Sequence, residues 1–196
     1  MIHWLYEYHL RRTLQVFPRH ICLMIADHDL AVSPEKIVDV VSWCRELGIE
    51  GVTVHISTSG SASLASFMPA IRKIATSAQL HLHCDSETEI SGTGMPVVVA
   101  IGKSGREEIC ACIRALAKEG VAPEDVDEQC IEAHLTFKCE PDLVIKTGGS
   151  HLTDFLIWQS VYSELFFSDI NWKLFRKTDF LRALRDYQFR MRRFGT

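Results

Sequence analysis

No run of about 18 apolar residues occurs anywhere in the chain, so nothing in it reads as a membrane-crossing helix. Charge of one sign is not in excess. With 21 Lys and Arg against 25 Asp and Glu, the net charge of −4 argues against nucleic acid as the main partner. Residues 1–17 carry Glu7, Arg11 and Arg12 and lack the short apolar core of a secretory signal. No internal repeat, low-complexity tract or linker interrupts the chain. A zinc site lacks its second half: His81, His83 and Cys84 stand close together, but no further pair follows at zinc-finger spacing. The seven cysteines are odd in number and scattered, several in apolar runs. They read as reduced, partly buried thiols of a cytoplasmic protein. What remains is 196 residues, 47% of them hydrophobic, which fits one domain with a sizeable core.

Strand and helix patterns alternate. The expectation is one α/β domain, a central, mostly parallel sheet of about six strands flanked by helices. Residues 20–25 form a continuous apolar run, the mark of a buried strand. Further strands are expected at 51–56, 79–84, 96–102, 142–147 and 164–167. Asp27, His28 and Asp29 read as a loop. Ser33 and Pro34 suit the start of a helix in which Ile37, Val40, Val41, Cys44 and Leu47 share a face, closed by Gly48. Other helices are expected at 63–76, 107–118, 124–135, 155–160 and 179–193. Residues 1–17 read as an amphipathic helix ahead of a domain spanning 18–196. That helix either packs on the domain or touches a membrane surface. Packing is expected, because two arginines make a thin basic face.

The second half carries a longer string. It runs Pro141-Asp142-Leu143-Val144-Ile145-Lys146-Thr147-Gly148-Gly149, then Phe155-Leu156-Ile157-Trp158-Gln159-Ser160 and Tyr162-Ser163-Glu164-Leu165-Phe166-Phe167. It closes with Asp179-Phe180-Leu181, Ala183-Leu184-Arg185-Asp186-Tyr187-Gln188 and Arg192-Arg193-Phe194-Gly195. In order and spacing this resembles the C-terminal half of the cis-prenyltransferases, the undecaprenyl diphosphate synthase-like family. Pro18-Arg19-His20-Ile21, with Trp43-Cys44 and Leu47-Gly48-Ile49, extends the resemblance. It implies transfer of an allylic chain from its diphosphate to isopentenyl diphosphate, with a cis double bond formed. Such a site holds two diphosphates and Mg2+ beside an apolar tunnel. Arginines and backbone N–H groups suit the phosphates, and a carboxylate suits the metal.

Carried over residue by residue, the resemblance implies substrate binding by Lys146, Gly148, Gly149, Thr153 and Arg193. It implies metal binding by Glu164 and Asp27, and catalytic roles for Arg193 and Gly195. Departures accompany it. Lys146 replaces an arginine and loses the bidentate fork. The second phosphate-binding arginine of the segment after Gly149 has no counterpart. The family's Met-Asp-Gly-Asn loop is gone: counting from His20 puts its Asp at Ala26, or at Asp27 after a one-residue shift, and His28-Asp29 replace Gly-Asn. The segment before Trp43 is shorter than in catalytic members. Ser57-Thr58-Ser59-Gly60 replaces a strand end with Glu-Asn-Trp. The Arg-x-Gly tail, Arg193-Phe194-Gly195, is kept.

This pattern resembles the non-catalytic Nogo-B receptor type of subunit, in a microbial or archaeal version. The implied role is an accessory subunit of a heteromeric cis-prenyltransferase that makes long-chain polyprenyl diphosphate for glycan carrier lipid. Its partner is a catalytic subunit with Asp-Gly-Asn, and the tail reaches that partner's isopentenyl diphosphate site. Two alternatives stand beside it: a self-sufficient homodimeric transferase with an altered site, and a stabilising or targeting module for a membrane enzyme. Plainer readings also exist. Asp27 and Asp29 suit turns, Gly148-Gly149 suits a tight connection, and Arg192-Arg193 suits a helix C-terminus. Residues 101–105, Ile-Gly-Lys-Ser-Gly, lack the first glycine of a phosphate loop, because Val97 stands there.

Overall fold

The structure is a computed structural model. It describes residues 2–60, 62–84, 87–149 and 156–194, and the side chains of all these except 2–4 and 192–194. Seven strands form one sheet: β1 (His20–Ala26), β2 (Gly51–Ser57), β3 (Gln79–Cys84), β4 (Glu87–Ser91), β5 (Pro96–Ile101), β6 (Leu143–Thr147) and β7 (Glu164–Ser168). Their order is β4-β3-β5-β2-β1-β6-β7, and every pairing is parallel except β3 with β4. The expected mostly parallel sheet is therefore present, with one more strand than expected. β4 escapes a pattern search because Glu87-Thr88-Glu89 has no apolar run; it is an exposed, charged edge.

The two faces of the sheet differ in chemistry. Ile21, Leu23 and Ile25 of β1, Val52, Val54 and Ile56 of β2, and Leu143 and Ile145 of β6 point to one side and are buried in the main core. Cys22, Met24 and Val144 point to the other, in a small second cluster with Ala100, Phe137 and Leu156. Thr53, His55 and Lys146 share that second face and are also buried. Right-handed crossovers explain the division. The chain passes from β1 to β2 and on to β3 in one direction across the sheet, and from β5 to β6 and β7 in the other. The two sets of connections must cover opposite faces.

On the main face lie α1 (Ile2–Thr13), α3 (Lys36–Glu46), α4 (Met68–Lys73) and α7 (Lys177–Phe194). On the other lie α5 (Gly105–Glu119), α6 (Glu128–His134) and residues 135–141, tied by Phe137 N to Glu108 Oε1 at 2.8 Å and by Gln159 Nε2 to Phe137 O at 2.6 Å. Where α3 and α4 pack on the main face, Ile37, Val40, Val41, Cys44, Phe67, Ile71 and Ile74 are all buried. The helix of residues 1–17 stops at Thr13 and packs on α7, as expected. Leu10 and Leu14 are buried, and Gln188 Oε1 accepts from Gln15 N and Val16 N while its amide donates to Thr13 O.

Several element boundaries differ from expectation. Residues 63–76 are not one helix. Pro69 and the turns around it divide them into a 3-10 turn, the six-residue α4 and a second 3-10 turn. Residues 124–135 divide at Asp127, whose carboxylate accepts from Cys130 N at 2.8 Å and so starts α6 afresh. Ser33 and Pro34 precede α3 by a turn rather than capping it; Ser33 instead ends the short α2 (Asp27–Val32). The expected loop at Asp27–Asp29 is the first turn of α2. Residues 156–162 are turns, with Ser160 bonded back to Leu156 O, and residue 155 lies outside the described residues.

Candidate functional site

Chain direction reverses between β1 and β6: β2, β3 and β5 lie to one side of β1, β6 and β7 to the other. In open parallel sheets such a switch point leaves a crevice outside the carboxyl ends of the two strands, the usual place for a ligand. Here those ends are Ala26-Asp27 and Thr147-Gly148, and the sequence-expected residues Asp27, Lys146, Gly148 and Gly149 all fall there.

Asp27 opens α2 immediately after the buried β1, and its side chain is itself buried. Its carboxylate accepts from Ser59 N at 3.0 Å, Ser59 Oγ at 2.9 Å and His28 N at 2.7 Å. Burial works to raise its pKa, but these hydrogen bonds more than offset it and hold the group below the ordinary carboxylate value. Ala26 is the last residue of β1, and Asp27 the first of α2. Ser59 was legible only as the residue that stands where the family pattern has its Glu. Its place just past the carboxyl end of β2, parallel to β1, is the signal that pairs it with Asp27.

Asp29 reaches across the switch point. Gly148 has φ +70° and Gly149 φ +138°, so two successive residues turn the chain off β6 in conformations that favour glycine. An ideal Cβ on Gly148 would stand only 2.9 Å from Asp29 Oδ2. His28 lies between the two acids, Nδ1 3.6 Å from Asp27 and Nε2 3.7 Å from Asp29. Lys146, on the second face of the sheet, folds its ammonium back onto Thr147 O at 2.9 Å. Burial lowers its pKa, and the Asp29 charge opposes that shift. Thr147 Oγ1 is buried with no hydrogen-bond partner among the described residues.

A diphosphate needs donors here and Mg2+ needs free carboxylate oxygens. Both Asp27 oxygens are already engaged, and Asp29 lies against the glycine turn where a phosphate would approach. Among the described residues no group of three His, Cys, Asp or Glu is placed to hold a metal ion. The described residues of this one chain do not fit Mg2+.

Glu164 does not join Asp27. It begins β7, at the amino end of the sheet, opposite Leu143, and its carboxylate pairs with Arg190 Nη1 at 3.1 Å. Four residues of strand, roughly 13 Å, separate it from the carboxyl edge. The two candidate metal residues, Asp27 and Glu164, therefore stand at opposite edges of the sheet in this chain. Thr153, Gly195 and the Arg193 side chain lie outside the described residues. The turn at Gly102–Ser104 serves structure: Ser104 Oγ caps α5 by accepting from Glu107 N, and Lys103 O meets His55 Nε2. Cavities of about 340 and 360 Å³ lie elsewhere. One is lined by His83, Thr88, Lys103 and Glu107 at the carboxyl edge, the other by Glu132, Asp142, Trp158 and Tyr162 at the amino edge.

The family model described as "Putative undecaprenyl diphosphate synthase" matches residues 64–195. An isoprenyl transferase of Thermus thermophilus is 31% identical over 255 aligned residues, covering 99% of this chain and 95% of that protein. A tritrans,polycis-undecaprenyl-diphosphate synthase (geranylgeranyl-diphosphate specific) of Methanocaldococcus jannaschii is 34% identical over 204, covering 82% and 72%. The chain belongs to the undecaprenyl diphosphate synthase family of cis-prenyltransferases. Its fold is also that of lavandulyl diphosphate synthase from Lavandula x intermedia, solved with dimethylallyl diphosphate, at a TM-score of 0.69 and 21% identity over 88% of this chain and 95% of that one. The 255 aligned positions exceed the 196 residues here, so the Thermus protein carries inserted segments that this chain lacks.

Proposed function

We propose that this chain is the accessory subunit of a two-chain cis-prenyltransferase that extends a polyprenyl diphosphate for glycan carrier lipid. The observation that carries the reading is the acid-filled switch point. Asp27 is saturated by Ser59 and His28, and Asp29 stands against Gly148, where a diphosphate would need cationic or N–H donors. In this reading a partner with Asp-Gly-Asn supplies Mg2+ binding, the allylic site and the tunnel. This chain supplies a docking surface and Arg193, with the Gly195 N–H, to the partner's isopentenyl diphosphate. Glu164, at the far edge of the sheet, is free of any role at Asp27 and belongs with the surface facing the partner.

A second reading is favoured by the relatives, which are named as transferases in their own right. In it the chain is a homodimer that elongates unaided, binding diphosphate through Lys146, Gly148, Gly149 and Arg193. One assay separates the two. The purified chain is incubated with isopentenyl diphosphate, an allylic diphosphate and Mg2+, alone and with an Asp-Gly-Asn family member from the same cell. The accessory reading expects no product alone and a gain on mixing, with co-elution of the two chains. Sustained elongation by the chain alone defeats it and establishes the homodimer.

A further inference from the structure

Charge is not spread evenly through the sequence. Residues 1–17 and 172–196, which hold α1 and α7, carry ten Lys and Arg against three Asp and Glu. The remaining 154 residues carry eleven against twenty-two. A net charge of −4 therefore conceals a layer of +7 set against a body of −11. The fold gives part of this segregation a place, because α1 packs on α7 on one side of the sheet while α6, with Glu128 and Glu132 and no Lys or Arg, lies on the other.

The outer strip of the α1–α7 pair is both basic and apolar. Leu5, Tyr8 and Arg12 follow one another at i, i+3 and i+7 on α1; Arg182, Arg185 and Phe189 do so on α7. Leu5 is 56% exposed, Tyr8 50% and Phe189 52%. The Arg182 guanidinium of α7 lies 5.3 Å over the Tyr6 ring of α1 and joins the two helices, and within α1 the Arg12 guanidinium lies 5.5 Å over Tyr8. Among the described residues no carboxylate stands within ion-pair distance of Arg11, Arg12 or Arg185. Two arginines on α1 alone make a thin basic face. Packing against α7 places further arginines beside them, and a two-helix strip results that neither helix has alone.

We propose that this strip docks the protein on an anionic lipid bilayer. Arginines would meet lipid phosphates, and Leu5, Tyr8 and Phe189 would enter the headgroup boundary, as interfacial amphipathic helices do. The acidic body would be repelled by the same surface, so the molecule settles in one orientation. A bilayer fits better than a nucleic acid or an acidic protein, because phosphates alone give no reason for three large apolar side chains to stand exposed among the arginines. The inference does not depend on whether the chain catalyses alone or with a partner.

The test is co-sedimentation of the full chain with phosphatidylcholine vesicles, with and without phosphatidylglycerol. Binding is expected only with phosphatidylglycerol, and it weakens as salt rises. R11E/R12E/R185E should lower the partition coefficient on the order of a hundredfold. L5A/F189A should weaken it at every salt concentration. The control R114E/K118E, the same kind of charge reversal on exposed α5 positions, should bind as the parent does. Thermal melts confirm that each variant is folded. Equal binding to neutral vesicles, no binding to anionic ones, or an equal loss in the α5 control overturns the proposal. So does indifference to L5A/F189A combined with equal affinity for a nucleic acid, which would mark the strip as a general polyanion site.

Discussion

Asp29 and Gly148 face each other across the point where a ligand would enter the sheet, and their contact decides what the crevice can accept. A carboxylate there repels any incoming phosphate, and Lys146, bonded to Thr147 O, is poorly placed to offset it. Asp29→Asn should therefore tighten binding of inorganic pyrophosphate about tenfold, a modest share of a full charge–charge interaction near a protein surface. Calorimetric titration checks this, and an unchanged affinity means the anion does not approach Gly148. Asp27 makes a prediction of another kind. Its folded-state pKa lies below the value it has unfolded, near 3.9. Its contribution is thus fully present above that value and is lost as pH falls through the lower, folded one. Asp27→Asn should cost about 1–3 kcal/mol at neutral pH, since Ser59 N is left without its charged acceptor. The variant should also show a flatter fall in stability in acid than the parent. Denaturant unfolding at a series of pH values reads both effects, and parallel acid limbs would show that Asp27 is not the group responsible. The residue type at position 27 was legible in the chain; its burial was not, because counting alone left Ala26 and Asp27 both open. Only the register of β1 against β2 brings Ser59 to Asp27.

At the scale of elements, the buried strands were the most legible feature. Each central strand is an apolar run whose length matches the pairing found, and the long helices α3, α5 and α7 carry their faces in their spacing. What the spacing could not show was interruption. The apolar positions of 63–76 fit one helix, yet Pro69 lacks a backbone donor, and the segment resolves into short turns over the sheet. β4 was hidden for the opposite reason, as a charged edge strand need bury nothing. The α1–α7 pair was half legible: α1 showed its apolar side, but only the fold shows which helix receives it. Leu10 is fully buried in that seam, so Leu10→Ala should destabilise the protein by about 2–5 kcal/mol, the cost of an unfilled cavity in a packed core. Chemical denaturation measures it. A loss under about 0.5 kcal/mol, typical of surface positions, would mean that α1 is not docked as described.

The molecule as a whole separates its recognisable residues by strand direction. Asp27, Lys146 and the glycine turn stand at the carboxyl edge of the sheet, and Glu164 with its Arg190 partner, in the last turns of α7, stands at the amino edge. A family motif read along the chain does not reveal this, because residues near in sequence on a strand and its neighbours can face opposite ends of the fold. Glu164 with Arg190 therefore stands at one edge of the sheet and the switch point at the other, and the accessory reading assigns a task in the assembly to Glu164 and to the Arg-x-Gly sequence, not to the switch point. The consequence is a mutational asymmetry in the reconstituted pair. Arg193→Ala should lower kcat/KM for isopentenyl diphosphate on the order of a hundredfold, as expected when a charged phosphate contact is removed from a closed site. The loss should remain when the chain is in excess over its partner, which distinguishes a missing phosphate contact from weaker assembly. Arg193→Lys should recover part of the rate, since the charge returns without the bidentate geometry. If Arg193→Ala leaves turnover of the pair unaltered while the two chains still co-elute, the tail is structural. The role of this chain would then be to stabilise or place its partner rather than to complete its site.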